Sequence, residues 1–229
     1  MDLIITDERL NKIKACEKEI RKTHRDFSYS NIPLDDEQTF ELFSSGNTDG
    51  IEEFQSNGDK KWLKHYIKPR NIEELIAFYA MYRPGSMANL PAYVEGKNNP
   101  NGIIYLESSF KDILAPTYGI LVYREQLVQL VHDYCGCSIE DANKIRLRLQ
   151  KKKDVQLCRG EFECMSIRQG HGVEETHKVF DYLLGNSAYA IAKSHVIPFV
   201  IMAYREAYIK CHFTDVFNEF FLNNDVSDA

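Results

Sequence analysis

The stretch Ser138-Ile-Glu-Asp-Ala-Asn-Lys-Ile-Arg-Leu-Arg-Leu-Gln-Lys-Lys-Lys153 decides the fold class of this 229-residue chain. Ser138 and Asp141 have the spacing of a capping box, which marks a helix N-terminus. Apolar residues then recur at helical spacing and predict a buried stripe: Ala142, Ile145 and Leu149. Basic residues project from the opposite side: Lys144, Arg148 and Lys151. The pattern predicts an amphipathic helix, and such a helix needs other elements to cover its apolar stripe.

The same helix concentrates positive charge. Lys144–Lys153 carries six basic residues and no acidic one, although the whole chain has a net charge of −6. Such a concentration attracts polyanions locally while the remaining surface repels them, which favours a phosphate-binding role. The alternative is a solvated helix face that happens to be basic.

The rest of the chain predicts further helices. Start signals stand at Asp35, with Gln38 reaching back, and at Asn71. Gly185 is expected to end one helix, and Pro198 to lie in the first turn of another that runs to about His212. Gly50–Gln55 reads as a short extended segment, and Ile120–Val122 as one strand or a buried turn. We therefore expect a mainly α fold with at most a short β element.

The composition excludes several classes of protein. A hydrophobic fraction of 44% with 27% charged residues is ordinary for a soluble domain. No segment reads as a signal peptide or a membrane span, so we expect a cytoplasmic protein without a membrane partner. The six cysteines lack the spacing of a disulfide framework or of a zinc site, and no metal site is expected. The acidic balance argues against an autonomous binder of duplex DNA.

Several motifs in a fixed order carry a family resemblance. They are Ile32-Pro-Leu-Asp-Asp36 followed by Phe40, Tyr82-Arg-Pro-Gly85, Thr117-Tyr-Gly-Ile120 with Tyr123-x-Glu125-Gln126, Ile145-Arg146 ending in Lys151–Lys153, and Ala192-Lys-Ser-His195. From about residue 30 to 222 the chain resembles the bacterial replicative DNA polymerase III alpha subunit, family C, in its palm-to-fingers region. The resemblance implies a fingers-like helical domain over 31–222. Residues 1–30 would be an N-terminal helix, either a palm-edge remnant or an addition, and 223–229 a flexible tail.

The resemblance also implies partners and site residues. In that family the fingers close over the incoming deoxynucleotide, and basic residues bind its triphosphate while magnesium ions sit on palm aspartates. DNA and deoxynucleotide triphosphate are therefore the implied ligands. Carried over by position, the triphosphate-binding residues are Arg83, Arg146, Arg148, Lys193 and His195. The implied contacts to DNA or other phosphate are Lys144, Lys151, Lys152 and Lys153.

The chain departs from the family pattern at several of these positions. The second of two adjacent arginines in the basic helix is Leu147 here, and a glycine before the three lysines is Gln150. A glycine-phenylalanine-asparagine run is replaced by Tyr189-Ala-Ile-Ala192. Each change removes a group expected to contact nucleotide or to shape its pocket, so weaker nucleotide binding is expected.

The palm carboxylates are the larger departure. Two catalytic aspartates of the family have no counterpart in this sequence. Asp2 falls close to the place of the third, but the Leu-Gly-Leu that follows it in the family is absent. We therefore assign no catalytic residue and no metal ligand to this chain. Magnesium would come from a partner palm, and the chain alone is not expected to polymerise DNA.

Two interpretations stay open. The chain could be a piece of a larger replicative polymerase whose palm lies on another chain. Alternatively, it could be a free-standing, degenerate paralogue that binds a polymerase or replisome protein, or competes within a replisome. The changes at Leu147 and Gln150 and the acidic charge favour the second interpretation.

Overall fold

Twelve α-helices make up most of residues 6–222, the part of the chain that the computed structural model describes. They are α1 Asp7–Ile20, α2 Glu37–Ser45, α3 Asn57–Trp62, α4 Ile72–Met81, α5 Leu90–Asn98, α6 Lys111–Leu114, α7 Arg124–Cys135, α8 Ile139–Lys151, α9 Val155–Arg168, α10 Val173–Ser187, α11 Lys193–His212 and α12 Thr214–Phe217. Short 3-10 helices span Tyr29–Asn31, Glu52–Phe54, Ser86–Asn89, Pro100–Gly102, Ser108–Phe110 and Ala115–Thr117. Single π-helical turns span Leu63–Ile67 and Asn218–Leu222.

The mainly α prediction is confirmed. Within residues 6–222 there is no sheet, and pairing of extended backbone is limited to one parallel bridge between Tyr123 and Ile191. The N–H of Ile191 donates to the carbonyl of Val122 at 3.1 Å, next to the predicted strand or turn. The extended segment expected at Gly50–Gln55 is wrong, because Glu52–Phe54 forms a 3-10 turn that buries Phe54.

The helix starts are mostly where the sequence places them. Asn71 caps α4, accepting the N–H of Glu74 at 3.0 Å, as predicted. The start expected at Asp35 is displaced by one residue. Asp36 is the cap instead, because its carboxylate accepts the N–H of Thr39 at 2.8 Å and α2 begins at Glu37.

Two other expectations about helices are wrong. Gly185 does not end a helix, since α10 continues through it to the buried Ser187. A glycine costs only about 1 kcal/mol inside a helix, less than the packing of the neighbouring buried stripe contributes. Pro198 is the sixth residue of α11 rather than part of its first turn, because the helix already begins at Lys193. Its ring nitrogen therefore cannot donate to the carbonyl four residues earlier.

The described residues group into two compact units. The first contains 6–79 and 194–222, and the second contains Ala80–Lys193. The core of the second unit is formed by apolar side chains of α7 to α10, among them Leu127, Leu130, Ile145, Leu149, Phe162, Phe180 and Leu183. Whether a fingers-like domain begins at residue 31, after an N-terminal helix in 1–30, stays a prediction. Asp2 and the predicted tail 223–229 lie outside the described residues.

The first unit contains a buried ionic cluster. Arg9 of α1 donates to both carboxylate oxygens of Glu206 in α11, at 2.7 and 2.8 Å, and to Oε2 of Glu53 at 2.7 Å. The side chains of Arg9, Glu53 and Glu206 are only 8%, 4% and 1% exposed. Burial raises the pKa of Glu206 to about 7, although Arg9 opposes that rise. The cluster fixes α1 against α11. It is costly because two buried carboxylates, those of Glu53 and Glu206, share a single guanidinium.

No helix among the described residues has both the length and the apolar character needed to cross a bilayer.

Candidate phosphate-binding site

Helix α8 has the geometry that its sequence predicts. Ser138 Oγ accepts the N–H of Asp141 at 3.1 Å, and the stripe Ala142, Ile145 and Leu149 is buried. The helix ends where Lys152 adopts a left-handed conformation with φ +49°. Acidic residues lie in the first turn and basic ones in the last, which is the arrangement that the helix dipole stabilises.

Two of the basic residues of α8 are neutralised by carboxylates. Lys144 lies 3.0 Å from oxygens of both Glu140 and Asp141, and Arg148 forms an ion pair with Glu161 of α9. The hydrogen bond to Glu161 raises the pKa of Arg148. Both basic side chains line a groove between α8 and α9. An anion entering this groove would meet the carboxylates as well as the cations.

Arg146 is in a different environment. Its guanidinium is half-buried and donates to two neutral acceptors, Asn143 Oδ1 at 2.8 Å and Gln150 Oε1. Arg146 forms no ion pair with the residues that the structure describes. Burial lowers its pKa and the positive charge of Arg124 lowers it further, while the carboxylate of Glu125 acts in the opposite direction. A second cation close to a partly desolvated guanidinium creates a positive potential that an anion would relieve.

The backbone segment Tyr189–Lys193 holds several of these side chains in place. The carbonyl of Ala190 accepts from Gln150 Nε2 at 3.1 Å and from Arg124 Nε at 3.2 Å. The carbonyl of Tyr189 accepts from Arg83 Nη2 at 3.3 Å. The segment therefore brings together three parts of the chain that are far apart in sequence: the turn after α4, the start of α7 and the last turn of α8.

Gly85 allows the turn that carries Arg83 to approach this segment. Its φ is +87°, a conformation that side chains with a Cβ rarely adopt. A Cβ at this position would lie 2.3 Å from Cε1 of Tyr189. Arg83 also donates through Nε to the carbonyl of Ala80 at 2.7 Å, which fixes its guanidinium beside the turn.

The first residue of α11, Lys193, is held by a carboxylate of α7. The N–H of Lys193 donates to both carboxylate oxygens of Glu125, at 3.1 and 3.2 Å. The Lys193 ammonium group lies 5.4 Å from the ring centroid of Tyr123, within range of a cation–π interaction. Glu125 thus occupies the helix N-terminus, a position at which phosphate groups commonly bind.

The sequence of the chain matches a known family. A family model described as the bacterial DNA polymerase III alpha subunit finger domain matches residues 9–167. The chain belongs to this family. It is 33% identical over 211 residues to the DNA polymerase III subunit alpha of Halalkalibacterium halodurans, covering 91% of this chain and 19% of that protein. The Borreliella burgdorferi protein of the same name is 33% identical over 221 residues, with 96% and 19% covered.

A third relative is the DNA polymerase III subunit alpha of Treponema pallidum, 34% identical over 205 residues. That alignment covers 89% of this chain and 17% of the relative. The chain thus spans about a fifth of the length of the curated relatives that it matches.

The structure places the residues of the two predicted groups, the triphosphate-binding and the DNA-contacting residues, in several different environments. Arg83 donates to the carbonyl of Tyr189, and Arg146 is linked through Gln150 to the carbonyl of Ala190, in the segment that ends at Lys193. Lys144 and Arg148 instead lie on the groove between α8 and α9. Lys151, Lys152 and Lys153 are exposed and make no side-chain hydrogen bond or ion pair to any described residue. His195 is exposed and belongs to the first unit. The binding roles of all these residues stay predictions.

The sequence alone did not identify Arg124, Glu125 and Gln150 as parts of the site. Tyr123 and Glu125 stood out as a family motif, but nothing in their spacing showed that a carboxylate there would cap α11, 68 residues later. At Gln150 the sequence shows only that a glycine of the family pattern is absent. In the structure Gln150 connects Arg146 to the Ala190 carbonyl. Leu147, in the place of the second family arginine, is 39% exposed.

Proposed function

We propose that the second unit binds the triphosphate of a deoxynucleotide next to the segment Tyr189–Lys193, as part of a replicative polymerase's fingers. The observation that carries the proposal is Arg146: a half-buried guanidinium close to Arg124, held by neutral acceptors alone. Phosphate oxygens could replace these acceptors and form stronger, charge-assisted hydrogen bonds. Lys193, at the other end of the same segment, supplies a further positive charge.

The three lysines after α8 support a second contact, to the nucleic-acid backbone. Lys151, Lys152 and Lys153 are exposed, and no carboxylate among residues 6–222 pairs with them. Free ammonium groups at a helix end favour polyphosphate binding through the release of counterions. We assign them to template or product DNA, and the role of the chain to DNA replication.

The chemistry of nucleotide addition would require a palm domain. No group of three or more Asp, Glu, His or Cys side chains within residues 6–222 is placed to hold a metal ion. The described residues do not fit a magnesium site, so we derive no catalytic step for them. In our proposal these residues bind and orient the triphosphate, and the carboxylates that hold magnesium lie elsewhere.

Isothermal titration calorimetry with deoxynucleotide triphosphate and magnesium tests the proposal. We expect Arg146→Ala to weaken binding roughly 10- to 150-fold, because it removes charge-assisted contacts to phosphate. Lys193→Ala should weaken it to a smaller degree, since an ammonium group contributes one point charge. Arg148→Ala is the matched control: its guanidinium is on the same helix but is neutralised by Glu161. Equal losses in Arg146→Ala and Arg148→Ala, or no binding by the unaltered protein, would overturn the site.

One observation favours a second candidate function, a protein-binding module that competes within a replisome. Leu147 presents an exposed apolar side chain where the family pattern has an arginine. A leucine there cannot bind phosphate but can bury apolar area against another protein. Replication extracts passed over the immobilised protein and over a Leu147→Arg variant test this function. Capture of the same replication proteins by both would count against a role for Leu147.

A further inference from the structure

A second basic surface lies on the first unit, outside the candidate phosphate site. The segment Lys60-Lys-Trp-Leu-Lys-His-Tyr-Ile-Lys-Pro-Arg70 has five Lys or Arg residues, two large aromatic residues and no acid. We call it the 60–70 segment. It contains Trp62, the single tryptophan of the chain.

The backbone of the 60–70 segment divides its side chains into a buried and an exposed set. Helix α3 runs directly into the π-helical turn Leu63–Ile67, and Leu63 and Ile67 are fully buried. Anchored by these two residues, the turn leaves the intervening side chains Lys64, His65 and Tyr66 at the surface. The π-helical turn is an uncommon geometry that is frequent at functional sites.

The aromatic residues of the segment form a surface pair. The ring centroids of Trp62 and Tyr66 are 4.8 Å apart with an interplanar angle of 50°. Tyr66 is 45% exposed, and Trp62 is half-buried. A large aromatic side chain can bury roughly 150–250 Å² on folding, so the exposed ring of Tyr66 leaves apolar area in contact with water. Here one ring stays open to solvent among cations.

The charges around this pair are in part uncompensated. Lys61 and Lys64 are exposed, and neither makes a side-chain hydrogen bond or ion pair with a described residue. Lys60 and Arg70 do have carboxylate partners, Asp49 and Glu74. The ammonium groups of Lys61 and Lys64, which flank Trp62 and Tyr66 in the sequence, are therefore open to a ligand.

From this combination we infer that the 60–70 segment binds single-stranded nucleic acid. Lys61 and Lys64 contact the phosphate backbone, and Tyr66, supported by Trp62, stacks on an unpaired base. Aromatic faces between cations are the arrangement by which proteins hold single strands without sequence preference. A duplex offers phosphates but no free base face, and would leave Tyr66 unused. This surface goes beyond the proposed triphosphate site, since it lies in the other unit and shares none of its residues.

Trp62 fluorescence gives a direct test of the surface. Because Trp62 is the sole tryptophan, quenching on titration with oligothymidylate reports this segment alone. We expect quenching by oligothymidylate and oligouridylate, and much weaker binding of a hairpin duplex of equal charge. Tyr66→Ala should weaken binding roughly 5- to 150-fold, whereas Tyr66→Phe should keep it, because the aromatic face is retained.

The charge contribution is tested by the pair Lys61→Ala, Lys64→Ala. Removing two phosphate contacts should lower the slope of log affinity against log salt by about 1.4 for a single strand. The matched control is Lys14→Ala, Lys18→Ala, which removes two exposed lysines from α1 in the same unit. Circular dichroism confirms that each variant is folded before titration.

Several outcomes would overturn the inference. One is an absence of Trp62 quenching in the unaltered protein, and another is an equal slope of log affinity against log salt for the Lys61/Lys64 and Lys14/Lys18 variants. Binding of duplex as tightly as single strand, or binding to anionic lipid vesicles but not to oligonucleotide, would also contradict it. Arg146→Ala should leave Trp62 quenching unchanged. Loss of triphosphate binding with intact oligonucleotide binding, or the reverse, would therefore separate this surface from the triphosphate site.

Discussion

Replacing Glu206 by glutamine should change how the stability of the first unit depends on pH. Glu206 is buried against Arg9, and its carboxylate competes with that of Glu53 for the same guanidinium. Burial raises its pKa from the ordinary 4.5 to about 7. Glutamine has nearly the same shape and keeps an oxygen for Arg9, but it carries no charge at any pH.

The expected magnitude follows from proton linkage. Between pH 4.5 and 7 the folded state binds a proton at Glu206 that the unfolded state has already released, so stability falls as pH rises. With these two pKa values, Glu206 should lower the free energy of unfolding by about 2.5 kcal/mol between pH 5 and pH 8. Glu206→Gln removes this contribution. The difference in stability between variant and unaltered protein should therefore shift by about 2.5 kcal/mol in favour of the variant over that range.

Urea unfolding followed by Trp62 fluorescence measures this difference, because Trp62 lies in the same unit as the cluster. Comparing the two proteins at pH 5 and at pH 8 cancels every group that titrates equally in both. Glu52→Gln is the matched control: its carboxylate is 3.3 Å from Arg9, but its side chain is 65% exposed. A pH-dependent change of the same size in Glu52→Gln would show that the effect does not depend on burial of the carboxylate. An equal stability difference at both pH values for Glu206→Gln would refute the reasoning, since the buried carboxylate would then remain ionised throughout.

Three further substitutions test contacts inside each unit, one in the first unit and two in the second. Arg9→Met should destabilise the first unit by about 3–5 kcal/mol, because it leaves buried carboxylates without their cation; a loss below 1 kcal/mol in urea unfolding would contradict this. Gly85→Ala should cost about 1–3 kcal/mol through its positive φ and its clash with Tyr189, and adding Tyr189→Ala should restore the part due to the clash; no recovery by circular dichroism melting would exclude that contact. Gln126→Leu should cost about 3 kcal/mol, since the Gln126 side chain accepts the N–H groups of Val122 and Tyr123; unchanged hydrogen exchange at these two amides would refute its role.

The sequence predicts the helices of this chain well because their signals are local. The Asn71 cap and the stripe of α8 depend on spacings of three or four residues, and both are confirmed. The wrong expectations were overridden by tertiary structure. Gly185 has low helix propensity, yet α10 continues past it to Ser187. The helix is stabilised there because its apolar residues Val179, Phe180 and Leu183 pack into the core. Propensity decides only where packing contributes little.

The composition of the candidate site could be predicted only in part. The resemblance assigned Arg83, Arg146 and Lys193 to a common role. In the structure Arg83 donates to the carbonyl of Tyr189, and Arg146 is linked through Gln150 to the carbonyl of Ala190 in the segment that ends at Lys193. No local pattern could show that the carbonyl of Ala190 would accept from both Arg124 and Gln150, which are 66 and 40 residues earlier in the chain. Contacts of this kind depend on the packing of whole helices rather than on residue spacing.

The basic stretch of α8 shows why charge read from sequence overestimates an anion site. Its six cations are equivalent in the linear sequence, but in the folded chain two of them form ion pairs with carboxylates. Lys144 pairs with Glu140 and Asp141, and Arg148 pairs with Glu161 of α9. Arg146 meets neutral acceptors, and Lys151 to Lys153 remain in solvent. Since an ion pair within the chain must be broken before its cation can hold a phosphate, we expect Lys144 and Arg148 to contribute little to the proposed binding. In our proposal the positive potential available to a triphosphate comes from Arg146 and Arg124, with the carboxylate of Glu125 opposing it, and a substitution of Arg146 should therefore have the largest effect on binding.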